Sequence, residues 1–248
     1  MSQHLDIAIE AANKAGVLLR ENYETELVVD SLLDHDIKLN LDVLTQDLIT
    51  KCLLGAFPDH ALYGEEGVAG NEDSDWQWVV DPIDGTVNYF YGIPHFCVSI
   101  ALRHKKEIVL GVIYDPMADS LWAVEKGERP TLNGKEIQTS CRDQLKDTVM
   151  TIGFSKTKES MDAGLERYKK IAYKVRKTRM MGSAALALAY ISCGRLDAYI
   201  EETISLWDVA AGILLVESAG GKIELTPAEG NEDKFGIVAT NGKVVIED

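Results

Sequence analysis

Trp76-Gln77-Trp78-Val79-Val80-Asp81-Pro82-Ile83-Asp84-Gly85-Thr86 is the stretch that decides how this chain is built. Its apolar first half, residues 76–80, predicts a strand that delivers Asp81 to the strand's C-terminal end, where α/β sheets place their ligands. Two carboxylates three residues apart, with the fixed φ of Pro82 between them, can point the same way in a tight turn. Hard divalent cations such as Mg²⁺ take carboxylate, carbonyl and water oxygens, which Asp81, Asp84 and the carbonyl of Ile83 could supply. A helix starting at Thr86 would offer free N–H groups to a phosphate, and Gly85 would let the backbone approach it closely. Cations on one side and a helix N-terminus on the other suit phosphoryl transfer to water, where catalysis is mostly positioning and charge stabilisation. Taken alone, the motif also reads as a turn with an N-cap.

Upstream of the motif, apolar residues at helical spacing predict an amphipathic helix over about residues 1–20. A second helix is expected over 41–57, with Leu44, Leu48, Ile49, Cys52 and Leu53 on its apolar side and Pro58 stopping it. Downstream, residues 96–102, 108–114 and 121–124 read as strands, parted by a charged turn at Lys105-Lys106 and by Asp115-Pro116. Asn133-Gly134 marks a tight hairpin of the primed type. The second half alternates: strand 148–154, helix 159–174, a small-residue helix 184–193 ended by Gly194, strand 196–200, helix 207–219, then strands 222–225 and 235–239. The pattern predicts one α/β domain over 1–248 with two lobes, about 1–145 and 146–248.

The formal net charge is −15, from 40 acidic and 25 basic side chains. That balance argues against nucleic acid or an anionic membrane as main partner, because both need a basic footprint. It also means that an anionic substrate needs a local source of positive charge, which cations held by clustered carboxylates would provide. No apolar run reaches a membrane-spanning length and the N-terminal pattern is not a signal peptide, so a cytoplasmic protein is expected. Four scattered cysteines read as reduced thiols, and five histidines without ligand spacing argue against a zinc hydrolase.

Other acidic groups have bland readings one by one. Gly64-Glu65-Glu66-Gly67 could be a solvated loop, Glu201-Glu202 a surface pair, and Asp208 after Trp207 a helix-dipole partner. Together with the 81–86 motif, with Trp207-Asp208-Val209-Ala210-Ala211-Gly212, with Gly182-Ser183-Ala184-Ala185 and with Gly194-Arg195-Leu196-Asp197-Ala198, their order and spacing resemble the inositol monophosphatase family over nearly the whole chain. The resemblance implies a layered α/β/α/β/α sandwich of the type shared with fructose-1,6-bisphosphatase. It implies two or three Mg²⁺ per site, hydrolysis of a small phosphomonoester by direct attack of a metal-activated water, lithium sensitivity and a homodimer. Glu65, Asp81, the Ile83 carbonyl and Asp84 look like first-metal ligands, and Asp208 like a ligand of a second metal. Thr86, paired with Asp42, resembles the hydroxyl that orients the attacking water. Gly85 and Thr86 would give N–H contacts to the phosphate, Asp84 and Asp208 would also bind substrate, and Glu65 would count with Asp42 and Thr86 among the catalytic residues. Gly182, Ser183, Ala184 and Glu201 match positions that hold the alcohol. A carboxylate such as Glu201 can accept bonds from vicinal hydroxyls, which favours a phosphorylated polyol or sugar.

One stretch departs from the family pattern. In Asp42-Val43-Leu44-Thr45-Gln46-Asp47 the second acid falls two rather than three positions after the threonine, so Asp47 carries no role. Lys38 is left between a place near the metals and a solvated one. Inositol 1-phosphate is the first substrate expected. Fructose 1,6-bisphosphate, histidinol phosphate and 3′-phosphoadenosine phosphate are the alternatives within the superfamily. A non-enzymatic alternative, a regulatory partner of the transcription or translation machinery, draws on the basic stretch Lys169, Lys170, Lys174, Arg176, Lys177 and Arg179, which otherwise reads as a solvated helix face.

Overall fold

A computed structural model describes residues 2–246 apart from 26, 28, 34–35, 155–156, 229 and 232. In chain order the elements are α1 (Gln3–Asn22), β1 (Val29–Leu33), β2 (Asp36–Leu39), α2 (Asn40–Ala56), β3 (Ala61–Gly64), β4 (Gly67–Gly70), β5 (Trp76–Asp84) and α3 (Thr86–Phe90). Then follow β6 (Cys97–His104), β7 (Glu107–Asp115), β8 (Ser120–Glu125), β9 (Thr131–Leu132) and β10 (Lys135–Glu136). The rest of the chain forms β11 (Val149–Ile152), α4 (Lys158–Ala172), β12 (Lys177–Arg179), α5 (Ala184–Ser192), β13 (Ala198–Ser205), α6 (Leu206–Ser218), β14 (Lys222–Pro227) and β15 (Lys234–Thr240). β1 and β2, which the sequence pattern did not announce, pair antiparallel; the side chain of Lys38 lies outside the described residues.

Eight strands form the first sheet in the order β10-β9-β8-β7-β6-β5-β3-β4, and five form the second in the order β12-β11-β13-β15-β14. Helices α1 and α2 cover one face of the large sheet; α5 and α6 lie between the two sheets; α4 covers the far face of the small one. The order of layers is therefore α/β/α/β/α, as the resemblance implies. Each interface has its own apolar core. Leu19, Ile49, Trp78 and Ile100 fill the outer one, Leu188, Val209, Leu215 and Ile237 the middle one, and Met150, Ile171 and Ile200 the one under α4. The middle layer sits close because its residues are small. A Cβ on Gly111 of β7 would stand 2.7 Å from the Ala211 carbonyl oxygen, and one on Gly212 2.5 Å from the Leu188 side chain.

Three elements differ from their sequence expectations in ways that shape the site. Strand β5 does not stop at Val80 but runs through Asp84, because Asp84 pairs with Cys97 beyond a register shift that follows the Asp81–Ser99 pair. The two aspartates are thus held by a β-bulge, which re-aims side chains, and not by a free turn. Strand β13 likewise continues through Ser205, with a register shift between Glu201 and Ile204. On α2 the buried face is partly polar: Asp42, Thr45 and Gln46 are buried with Leu41, Ile49 and Leu53, while Leu44 is half exposed.

Candidate active site

β5 and the short helix α3 that follows it, the loop after β3, the N-termini of α5 and α6, and the bulge of β13 converge on one cavity of ≈220 Å³. Glu65, Asp81, Ile83, Asp84, Gly85, Thr86, Gly182, Ser183, Ala184, Glu201 and Asp208 all line it. Of the residues singled out from the sequence, Asp42 alone stands behind the wall, 2% exposed at the start of α2.

The carboxylates are held by backbone and hydroxyl donors. Asp81 accepts from the Ile83 N–H at 3.0 Å. Asp84 reaches the N-terminus of α5, accepting from the N–H groups of Ala185 at 2.7 Å and Ala184 at 3.2 Å and from the Ser183 hydroxyl at 2.5 Å. Ser183 at the same time caps α5 by accepting from the Leu186 N–H at 3.2 Å. The positive end of that helix therefore faces Asp84 directly. Asp208 forms a capping box on α6, its carboxylate accepting from the Ser205 N–H at 3.1 Å.

One oxygen each of Asp81, Asp84 and Asp208 lies within 4.8 Å of the others. At that spacing and an effective dielectric of about 20, each ionised pair repels by roughly 3–4 kcal/mol. No lysine, arginine or histidine lines the cavity among the described residues. Burial, reinforced by the charges of Glu65, Asp84 and Asp208, pushes the Asp81 carboxyl well above the usual range. Asp208 is raised in the same way, by burial and then by Asp84, Glu65 and Glu201. Burial also raises Asp84, against the pull of its donors at Ser183, Ala185 and Ala184. A bound cation would favour the ionised form of all three. The donor set is made of hard oxygens, carboxylates and a carbonyl, with no imidazole in the lining among the described residues, which fits Mg²⁺ better than zinc.

Thr86 sits between two acceptors. Its hydroxyl donates to the Ile83 carbonyl at 2.9 Å and has Asp42 Oδ1 at 3.5 Å. The other oxygen of Asp42 accepts from the Leu39 N–H at 2.8 Å. Burial first, then the charges of Glu65 and Glu66, lift the Asp42 carboxyl to about 7. Gly85, with φ 101°, starts α3 in a conformation that suits glycine, and a Cβ there would stand 3.0 Å from the His95 carbonyl oxygen.

On the opposite wall Glu201 accepts a hydrogen bond from the Tyr199 hydroxyl, and its carboxylate fills the space next to Gly153 where any side chain would stand. Tyr199, Gly153, Thr151 and Phe154 line the cavity without having been singled out from the sequence. Tyr199 had a signal, since residues two apart on a strand share a face and Glu201 was already suspected. Gln46 was also missed, although Asp42, Thr45 and Gln46 stand at the i, i+3, i+4 spacing of one helix face. The six basic residues from Lys169 to Arg179 are all exposed and lie away from the cavity lining, on α4, its exit and the edge strand β12.

A model of the inositol monophosphatase family matches residues 1–247. Inositol monophosphatase 2 of Solanum lycopersicum is 39% identical over 251 aligned positions, covering 97% of this chain and 94% of its own length. Nus factor SuhB of Escherichia coli (strain K12) is 37% identical over 250, covering 99% and 94%. The crystal structure of extragenic suppressor protein suhB from Bartonella henselae matches with a TM-score of 0.90 at 32% identity, over 98% of this chain and 95% of that one.

Proposed function

This chain belongs to the inositol monophosphatase family, and from that premise we propose that it hydrolyses a small phosphomonoester in a Mg²⁺-dependent reaction, with inositol 1-phosphate as first substrate. The observation that carries the reading is the convergence of Glu65, Asp81, Asp84 and Asp208 on a cavity whose lining has no basic side chain among the described residues. Glu65, Asp81, the Ile83 carbonyl and Asp84 would hold one cation and Asp208 would help hold another. Bound there, the cations supply charge neutralisation for the phosphate and acidify water. Gly85 and Thr86 present their backbone N–H groups to the phosphate. The Thr86 hydroxyl, with Asp42 Oδ1 at 3.5 Å, would orient the attacking water and pass its proton toward that carboxylate. Glu201, fixed by Tyr199, accepts from vicinal hydroxyls of the alcohol, and the Gly182–Ala184 backbone bounds that end.

The test is phosphate release, with Mg²⁺ and with chelator, from inositol 1-phosphate, fructose 1,6-bisphosphate, histidinol phosphate and 3′-phosphoadenosine phosphate. Magnesium-dependent turnover with inositol 1-phosphate preferred is the expected result. Preference for another member would move the chain to that branch, and no turnover on any of them would overturn the reading. Lithium inhibition and a homodimer belong to the same proposal.

A second, compatible reading has one observation in its favour. Several relatives are named Nus factor SuhB, and the exposed basic stretch from Lys169 to Arg179 offers a surface for an acidic or nucleic-acid partner. Capture of RNA or polymerase subunits that is lost when these lysines become glutamine would support it; equal capture by both forms would remove it.

A further inference from the structure

Glu65 lies in the loop joining β3 to β4, and that loop is tied down from two sides. On one side the Glu65 N–H donates to the Val80 carbonyl at 3.1 Å, next to Asp81. On the other, the buried side chain of Gln46 reaches in from α2. Its Oε1 accepts from the Glu66 N–H at 2.9 Å and its Nε2 donates to the Gly67 carbonyl at 3.3 Å. The amide thus bridges the Glu66 N–H and the Gly67 carbonyl, just past Glu65. Gly64 makes the approach possible: a Cβ there would stand 2.1 Å from Gln46 Oε1. Gln46 is one helical turn after Asp42 on the same buried face, so α2 touches both Thr86 and the Glu65 loop.

We infer that Gln46 is a positioning residue for the metal site, its side-chain amide fixing the 64–67 loop so that Glu65 is aimed at the cation, with Gly64 as the space the amide needs. The inference rests on the proposed metal reading and accounts for the stretch that departs from the family pattern. Where the pattern places an acid three positions after the threonine, this chain has Leu48; the side chain turned into the loop is the Gln46 amide, which both accepts and donates. A carboxylate at that place would repel the Gly67 carbonyl and add to the acidic cluster. Groups that orient a metal ligand are worth about 10- to 100-fold in metal affinity or activity.

The experiment measures Mg²⁺ binding by titration calorimetry on the metal-free protein, with no substrate, for wild type, Gln46→Met, Gln46→Ala, Gly64→Ala and the double variant Gln46→Ala/Gly64→Ala. Methionine keeps the length of Gln46 without its hydrogen bonds. Alanine at 64 displaces the amide while leaving it in the chain, and Gly64 does not have the positive φ that would make alanine strained. Each single variant is expected to melt as a folded protein and to bind Mg²⁺ about 10-fold or more weakly. The Mg²⁺ concentration for half-maximal rate should rise by the same factor, with kcat at saturating Mg²⁺ within about twofold of wild type. Because both substitutions break one contact, the double variant should be no worse than the weaker single. A folded Gln46→Met or Gly64→Ala protein with wild-type Mg²⁺ affinity would overturn the inference, as would fully additive losses or a drop in melting temperature alone. A wild type that binds no Mg²⁺ would instead overturn the metal reading, and this inference with it.

Discussion

Asp84 has two duties that one carboxylate performs together. It faces the cavity as a candidate ligand and it neutralises the N-terminus of α5 through Ser183, Ala184 and Ala185. Ser183→Ala therefore removes a cap and an anchor at once. It is expected to lower the unfolding free energy by about 1–2 kcal/mol, seen by urea denaturation, and to weaken Mg²⁺ binding several-fold. Thr86→Val separates the other proposed function: it should leave Mg²⁺ affinity near wild type and cut kcat by about 10²-fold or more, since only the hydroxyl proposed to orient the water is lost. Equal kcat for the two proteins would remove Thr86 from its role. The cluster 81–86 was legible in the sequence because its spacing is local. The partners of Asp84 were not, because Ser183 lies 99 residues away and meets it only through the packing of α5 on the sheet.

Among the elements, turn chemistry was the easiest to read. Asn133 and Gly134, with φ 49° and 75°, form the expected two-residue connection between β9 and β10. The Lys105-Lys106 turn between β6 and β7 takes the same left-handed pair, φ 52° and 70°, with side chains that pay about 1–2 kcal/mol per residue for it. Replacing both by Asn-Gly is expected to raise the denaturation midpoint by the equivalent of about 1–2 kcal/mol; the exposed Lys105–Asp75 ion pair it removes is worth little. An unchanged or lower midpoint would show that the present lysines carry compensating contacts. Strand ends were read less well. β5 and β13 both overrun their apolar stretches, because pairing partners across a register shift, and not hydrophobicity, keep Asp84 and Ser205 in the sheet. The polar buried residues of α2 misled the periodicity in the same way: Asp42 and Gln46 meet Thr86 and the loop after β3, while Leu41, Ile49 and Leu53 beside them pack in the core.

For the molecule as a whole, the alternation of elements indicated an α/β body, while the five-layer order came from the resemblance, since composition does not say which face a helix covers. The acidic site gives this body a distinctive pH response. Burial lifts Asp42 to about 7 and raises Asp81, Asp84 and Asp208 as well. An acid whose pKa is higher folded than unfolded binds its proton more tightly in the fold. Its stabilising contribution is complete below the ordinary carboxylate range near pH 4 and is lost as pH rises through its folded pKa, about 7 for Asp42, at up to about 1.4 kcal/mol per pH unit for each group while it titrates. The melting temperature of the metal-free protein should thus fall between pH 5 and pH 8, and saturating Mg²⁺ should flatten the fall by binding the ionised cluster. A metal-free melting temperature that climbs over that range would contradict the electrostatic picture.

The central claim is that this carboxylate cluster is a magnesium site for phosphate-ester hydrolysis. Its most direct test is the initial rate of phosphate release from inositol 1-phosphate as Mg²⁺ is raised from chelated zero, for wild type beside Asp84→Asn. A saturable rise in wild type, abolished by chelator and reduced about 10²-fold or more in the folded variant, is the predicted result. A rate indifferent to chelation, or an Asp84→Asn protein that turns over like wild type, would contradict it.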